Sequence, residues 1–183
     1  MNLNRACIRR WHWTGAAFTL AAGTLLHFLY GWTDWIGAAV FAPVNESVWE
    51  HLKLLFWPML LMTAAEYMAY GNGRKNFIQA KTAGLLVGLA AIPVLYYAAK
   101  PFAGVDCLPV NLLIFALSTA AAWLVSFKCM ISNKGSAPAA AAAAILLFTS
   151  IALLFVSFTF SPPRNELFRD PQTGTYGLHQ GPD

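Results

Sequence analysis

Long runs without a single charged side chain, separated by short charged segments, constrain this chain more than any other feature. Residues 82–99, 107–127 and 135–163 contain no Asp, Glu, Lys or Arg. Only 11% of the 183 residues are charged, against the roughly one quarter that a water-exposed surface needs. Lipid is the solvent that such runs suit. The expected fold is therefore an all-α membrane protein, a bundle of about five transmembrane helices spanning residues 1–160. Residues 161–183 form an extracytoplasmic C-terminal tail, and the length leaves no room for a second folded domain.

A spanning helix needs about 20 mostly apolar residues. Five stretches qualify: about 11–32, 48–70, 82–102, 110–127 and 138–160. The first is framed by Trp11 and Trp13 at one end and Tyr30 and Trp32 at the other, as in an aromatic belt. It follows Arg5, Arg9 and Arg10, but it is too long for a signal peptide and no small-residue cleavage site follows. Residues 35–43 are apolar but too short to cross. They read either as a re-entrant or interfacial segment between helices 1 and 2, or as a loop dipping into the headgroups.

Lysine and arginine bias sets the orientation. With the N-terminus inside, Arg5, Arg9, Arg10, Arg74, Lys75, Lys81, Lys128 and Lys134 are cytoplasmic. Lys53, Lys100, Arg164 and Arg169 are outside, a two-to-one bias. Asp34, Glu46, Glu50, Asp106, Glu166, Asp170 and Asp183 also fall outside. The net charge of +4 therefore reads as topology and not as nucleic-acid binding. Cys7, Cys107 and Cys129 are too few for a disulfide framework. Gly71-Asn72-Gly73 lacks the context of a nucleotide-binding loop.

Polar residues concentrate in 43–53, PVNESVWEHLK, at the start of the second span. Three readings stay open. Ser47 and Glu50 have the spacing of a capping box, and Asn45 is an alternative cap. Alternatively Glu50, His51, His27 and Glu46 are acid/base candidates, since a histidine beside a carboxylate titrates near neutral pH. In that reading Asn45, Trp49 and the tail residues Arg164, Arg169 and Asp170 bind a ligand, with free helix-start amides offered to a phosphate. The third reading is a metal set of His27, Glu50 and His51, although the spacing is not H-E-x-x-H.

Three further expectations concern single groups. Glu66 belongs near the cytoplasmic end, snorkelling toward Arg74 or Lys75 or else acting as an intramembrane proton carrier. His12 reads as interfacial. The tail carries Leu167, Phe168 and Tyr176, which a floppy segment does not need, so it is expected to fold over the outer mouth and bring Arg164 or Arg169 to Glu46 or Glu50.

His27-Phe28-Leu29-Tyr30, the 43–53 segment and LFRDPQTGTYG at 167–177 resemble an uncharacterised bacterial family of small polytopic membrane proteins, a domain of unknown function. The resemblance covers essentially the whole chain and implies a bacterial cytoplasmic-membrane protein, with no activity attached. Gly31 stands where the family pattern calls for an acidic residue. Together these features point to an envelope protein that binds or modifies a lipid-linked or headgroup-type ligand at the outer leaflet. The alternative is a non-enzymatic membrane subunit that stabilises or regulates a partner protein. A transporter or channel is disfavoured by the scarcity of mid-membrane charge and the lack of an internal repeat. No cofactor, substrate or oligomeric state can be named from the sequence.

Overall fold

The computed structural model describes residues 4–103, 107–132 and 138–178. Asp106, Lys134, His179 and Asp183 lie outside the described residues. The helices are α1 (Arg5–Thr33), α2 (Val48–His51), α3 (Lys53–Ala69), α4 (Phe77–Ala103), α5 (Leu108–Ile131) and α6 (Pro138–Phe160). Short 3-10 turns cover Ala38–Val40 and Gly71–Gly73. There is no strand among the described residues, only an isolated antiparallel bridge between Arg169 and Tyr176.

Local chemistry sets the helix ends. The Asn4 side chain accepts the Ala6 N–H at 3.2 Å and starts α1. Asp34 ends it in the left-handed region with φ 46°, its N–H donating to the Tyr30 carbonyl. Ser47 caps α2 by accepting the Glu50 N–H at 3.4 Å. Leu52 separates α2 from α3, so α3 itself has 17 residues.

Three helices are long and apolar enough to cross a membrane: Phe77–Phe102, Leu108–Ile131 and Ala139–Phe160. They match the third, fourth and fifth expected spans. α1 has the length, at 29 residues, but His12, His27 and its Thr, Gly and Trp residues make it less apolar than those three. The outward faces of α5 and α6 expose Leu112, Leu113, Leu124, Leu146 and Leu153, a surface suited to lipid.

The most extensive helix interface is that of α4 with α5, where small residues let the backbones approach. A Cβ added at Gly84 would stand 2.4 Å from the Ala122 carbonyl oxygen, and one at Gly88 2.7 Å from the Ala122 Cβ. The main core gathers Leu55, Phe56, Met59, Leu85, Trp123 and Phe155. A smaller cluster of Ile8, Tyr70, Phe77, Ala80 and Met130 closes the end where α1 and α4 begin.

That end also corrects several expectations. His12 is buried, not interfacial, and contacts the Ile8 carbonyl at 2.9 Å and Ser126 Oγ at 3.1 Å. Glu66 does not snorkel: it is fully buried and pairs with Lys81 of α4 at 2.7 Å. The Tyr70 hydroxyl donates to its other oxygen. Lys81, placed in a loop by the sequence, is itself fully buried, with Nζ 4.3 Å from the Trp123 ring centroid.

Candidate functional site

At the opposite end, where α1, α4 and α6 finish, the 35–53 segment folds around one ammonium group. Ala38, Ala39 and Ala42 are buried while Trp35, Ile36 and Phe41 face outward. Irregular backbone in such a place must find partners for its carbonyls. Lys53 Nζ supplies them, donating to Ala39 O at 2.9 Å and Ala42 O at 3.4 Å. Trp57 Nε1 donates to Val40 O at 3.1 Å. The same ammonium meets Glu50 Oε2 at 2.6 Å and Thr159 Oγ1 at 2.6 Å, and both Lys53 and Glu50 are buried.

Glu50 is tied into this frame. Besides Lys53, its carboxylate accepts the Val44 N–H at 3.1 Å and lies 3.4 Å from Thr159 Oγ1. Only half of the capping box forms. Ser47 serves Glu50, but the Ser47 N–H donates to Asn45 Oδ1 at 3.0 Å and not to the Glu50 side chain.

The carboxylate that joins the two histidines is Glu46. Its Oε2 is 3.4 Å from His51 Nε2 and its Oε1 is 4.0 Å from His27 Nε2. The two imidazole centroids are 5.2 Å apart. His51 Nδ1 lies 2.9 Å from the Ser47 carbonyl, which can only accept, so Nδ1 carries hydrogen. A neutral His51 would then aim the lone pair of Nε2 at the Glu46 carboxylate. The contact is attractive only with a cation on that nitrogen or beside it. Glu46 lies in the segment before α2, and the His51 contact holds its carboxyl below the usual carboxylate range. His27 Nδ1 is buried without a hydrogen-bond partner among the described residues.

Glu46 and His51 line a cavity of about 60 Å³ whose other walls include Val48, Leu54, Ile92, Ile114 and Phe115. Tyr96, Asn111 and Pro171 complete it. A more polar cleft of about 350 Å³ adjoins it, sharing Val48, Tyr96 and Pro171 and adding Lys100, Glu166 and Arg169.

The tail does fold back onto this end, but through different residues from those expected. Arg169 pairs with Glu166 at 3.6 Å, and Arg164 is exposed. The link to the site is Asp170, whose Oδ2 accepts the Glu46 N–H at 3.2 Å. Its Oδ1 accepts the N–H groups of Gln172 at 2.7 Å and Thr173 at 3.1 Å. Asn45 Nδ2 donates to Gly177 O at 3.2 Å, and the Trp49 N–H to Leu167 O at 3.0 Å. The Trp49 ring packs among Phe155, Phe158 and Phe168. Of the amides at the helix start, where a phosphate was expected, those of Glu46, Ser47, Trp49 and Glu50 are taken by protein groups.

Of the sequence candidates, His27, Glu46 and His51 come together, while Glu50, Asn45, Trp49 and Asp170 hold the frame around them. Lys53, Thr159 and Asn111 were missed. Each is a polar residue in or beside an apolar helical run, a signal that marks a buried polar contact.

The sequence profile of the family of unknown function DUF6512 matches residues 1–178, and the chain belongs to that family. No curated protein and no solved structure matches it.

Proposed function

We propose that this member of a family of unknown function is a multi-pass protein of the bacterial cytoplasmic membrane that binds or modifies a lipid-linked or headgroup-type ligand at its extracytoplasmic face. In this reading α1 and the α2–α3 pair join the three apolar helices as spans, making five. The N-terminus is cytoplasmic and the tail lies outside. Arg5, Arg9 and Arg10 in the first turns of α1 favour that orientation. Lys53 and Lys81 drop out of the charge count because they are buried, but one leaves from each side and the bias persists. Trp35, Ile36 and Phe41, exposed on the 35–43 segment, suit the outer interface.

The observation that carries the ligand reading is the cavity at Glu46 and His51. A few polar groups converge there in a largely apolar wall, and the adjoining cleft of about 350 Å³ supplies the room that the 60 Å³ cavity lacks for a ligand. The adjoining cleft is lined by Lys100 and Arg169, which share Glu166 at 3.8 and 3.6 Å, so one positive charge in excess is offered to the anionic part of a headgroup. His51 and Glu46 supply a proton donor and acceptor at its inner edge. Glu50 is left out of this pair because its hydrogen bonds among the described residues all go to the frame.

Native mass spectrometry of the purified protein, wild type beside His51→Ala, tests this. The expected result is a lipid-type mass on the wild type that the variant loses. Two folded proteins without any adduct would overturn the reading in favour of a subunit that stabilises a partner protein.

A further inference from the structure

We propose that His27, Glu46 and His51 bind a divalent transition-metal ion of the zinc class. One donor atom from each residue lies within 4.8 Å of the others. A tetrahedral zinc ion with bonds of about 2.0–2.1 Å holds its donors about 3.3 Å apart. The contact of His51 with Glu46 Oε2, 3.4 Å, already meets that spacing; the 4.0 Å contact of His27 is to the other oxygen, so gathering all three on one ion takes side-chain rotation from donors that now lie within 4.8 Å.

The hydrogen bonding around His51 and Glu46 is that of a metal site, while His27 Nδ1 has no partner among the described residues. His51 donates its Nδ1–H to the Ser47 carbonyl, which fixes the ring and leaves Nε2 free as a donor to metal. The Glu46 backbone is held in turn by Asp170 of the tail. Two imidazoles 5.2 Å apart share one carboxylate. A single proton satisfies one of those rings, whereas a divalent ion satisfies all three donors together. Two histidines and one glutamate leave a fourth position open, as in catalytic rather than structural zinc sites. Glu46 and His51 border the cavity, so that position is accessible to a ligand there. This last step rests on the ligand reading above; metal binding itself does not.

The test uses the full-length, tag-free protein in detergent, stripped with chelator and reloaded. Expected are one equivalent of zinc per chain by elemental analysis and a tetrahedral visible spectrum with cobalt(II). Changing an outer-shell partner typically weakens a metal site about 10–100-fold, so His27→Ala, His51→Ala and Glu46→Gln should each lose at least about tenfold in zinc affinity. Asp34→Asn, away from the cluster, should retain it. A folded wild type that takes up no stoichiometric zinc, or folded histidine variants that keep wild-type affinity, would overturn the proposal. Should those variants fail to fold, the wild-type cobalt spectrum decides alone, and an octahedral or absent signal overturns the proposal. A lipid adduct lost in His51→Ala without any zinc binding would overturn the metal site and leave the ligand reading standing.

Discussion

Lys53 and Glu50, one helical turn apart across the junction of α2 and α3, form a buried ion pair of 2.6 Å that also holds the carbonyls of Ala39 and Ala42. The pair fixes the path of the 35–43 segment and, through Thr159, ties it to the end of α6. Removing one partner strands the other as an uncompensated buried charge, which typically destabilises by about 3–5 kcal/mol. Lys53→Met and Glu50→Gln should each lower the melting temperature in detergent and reduce abundance in the membrane. The double variant should recover part of the loss, because it leaves neither charge buried without its partner. Additive losses in the double variant would mean that the pair is not coupled.

The second buried pair, Glu66 with Lys81, joins α3 to α4 and is assisted by the Tyr70 hydroxyl. Its two contacts should rank by charge. Tyr70→Phe deletes one hydrogen bond to a charged group, worth about 1.5–3 kcal/mol. Lys81→Met removes the only ion-pair partner described for Glu66 and should cost more, about 3–5 kcal/mol. Thermal unfolding of both variants in one detergent checks the order.

How far the sequence carried this reading differs between helix and contact. Charge-free runs located α4, α5 and α6 because spanning a bilayer imposes length and apolarity on each helix alone. The 43–53 motif located the site region, since helix-start polar residues stand out in an apolar chain. What stayed hidden is which carboxylate faces which cation. Glu46 and Glu50 are four residues apart and look alike in sequence. The tail decides between them, drawing the Glu46 backbone to Asp170 while Glu50 turns inward to Lys53. Lys53 and Lys81 were taken for loop charges because nothing local announces that a lysine at a helix end is covered by another element.

Orientation is testable with the chain's own cysteines. In the proposed topology Cys107, at the start of α5, lies outside, whereas Cys7 and Cys129 lie on the cytoplasmic side. Cys107 is half-buried, so a reagent in water can reach it. In intact spheroplasts a membrane-impermeant maleimide should label a variant retaining only Cys107 and spare one retaining only Cys129. The reverse pattern would invert the topology, and labelling of both would contradict a spanning α5.

Two glycines in long helices should respond to the same substitution with opposite sign. Gly84 of α4 lies against α5: a Cβ there would stand 2.4 Å from the Ala122 carbonyl oxygen and 2.8 Å from the Ser126 Cβ. A backbone oxygen cannot rotate away, so Gly84→Ala must push the two helices apart. Overpacking of this kind destabilises by about 1–3 kcal/mol. Gly31, in the last turn of α1, has nothing within 4 Å of the same added atom. There the intrinsic preference of a helix for alanine over glycine, about 1 kcal/mol, acts without opposition. Melting temperatures measured side by side should fall for Gly84→Ala and hold or rise for Gly31→Ala. A fall in both would show that Gly31 is covered by something beyond this chain, a partner or a ligand. A fall in neither would mean that α4 and α5 can separate freely, and the close packing drawn at Ala122 would be wrong.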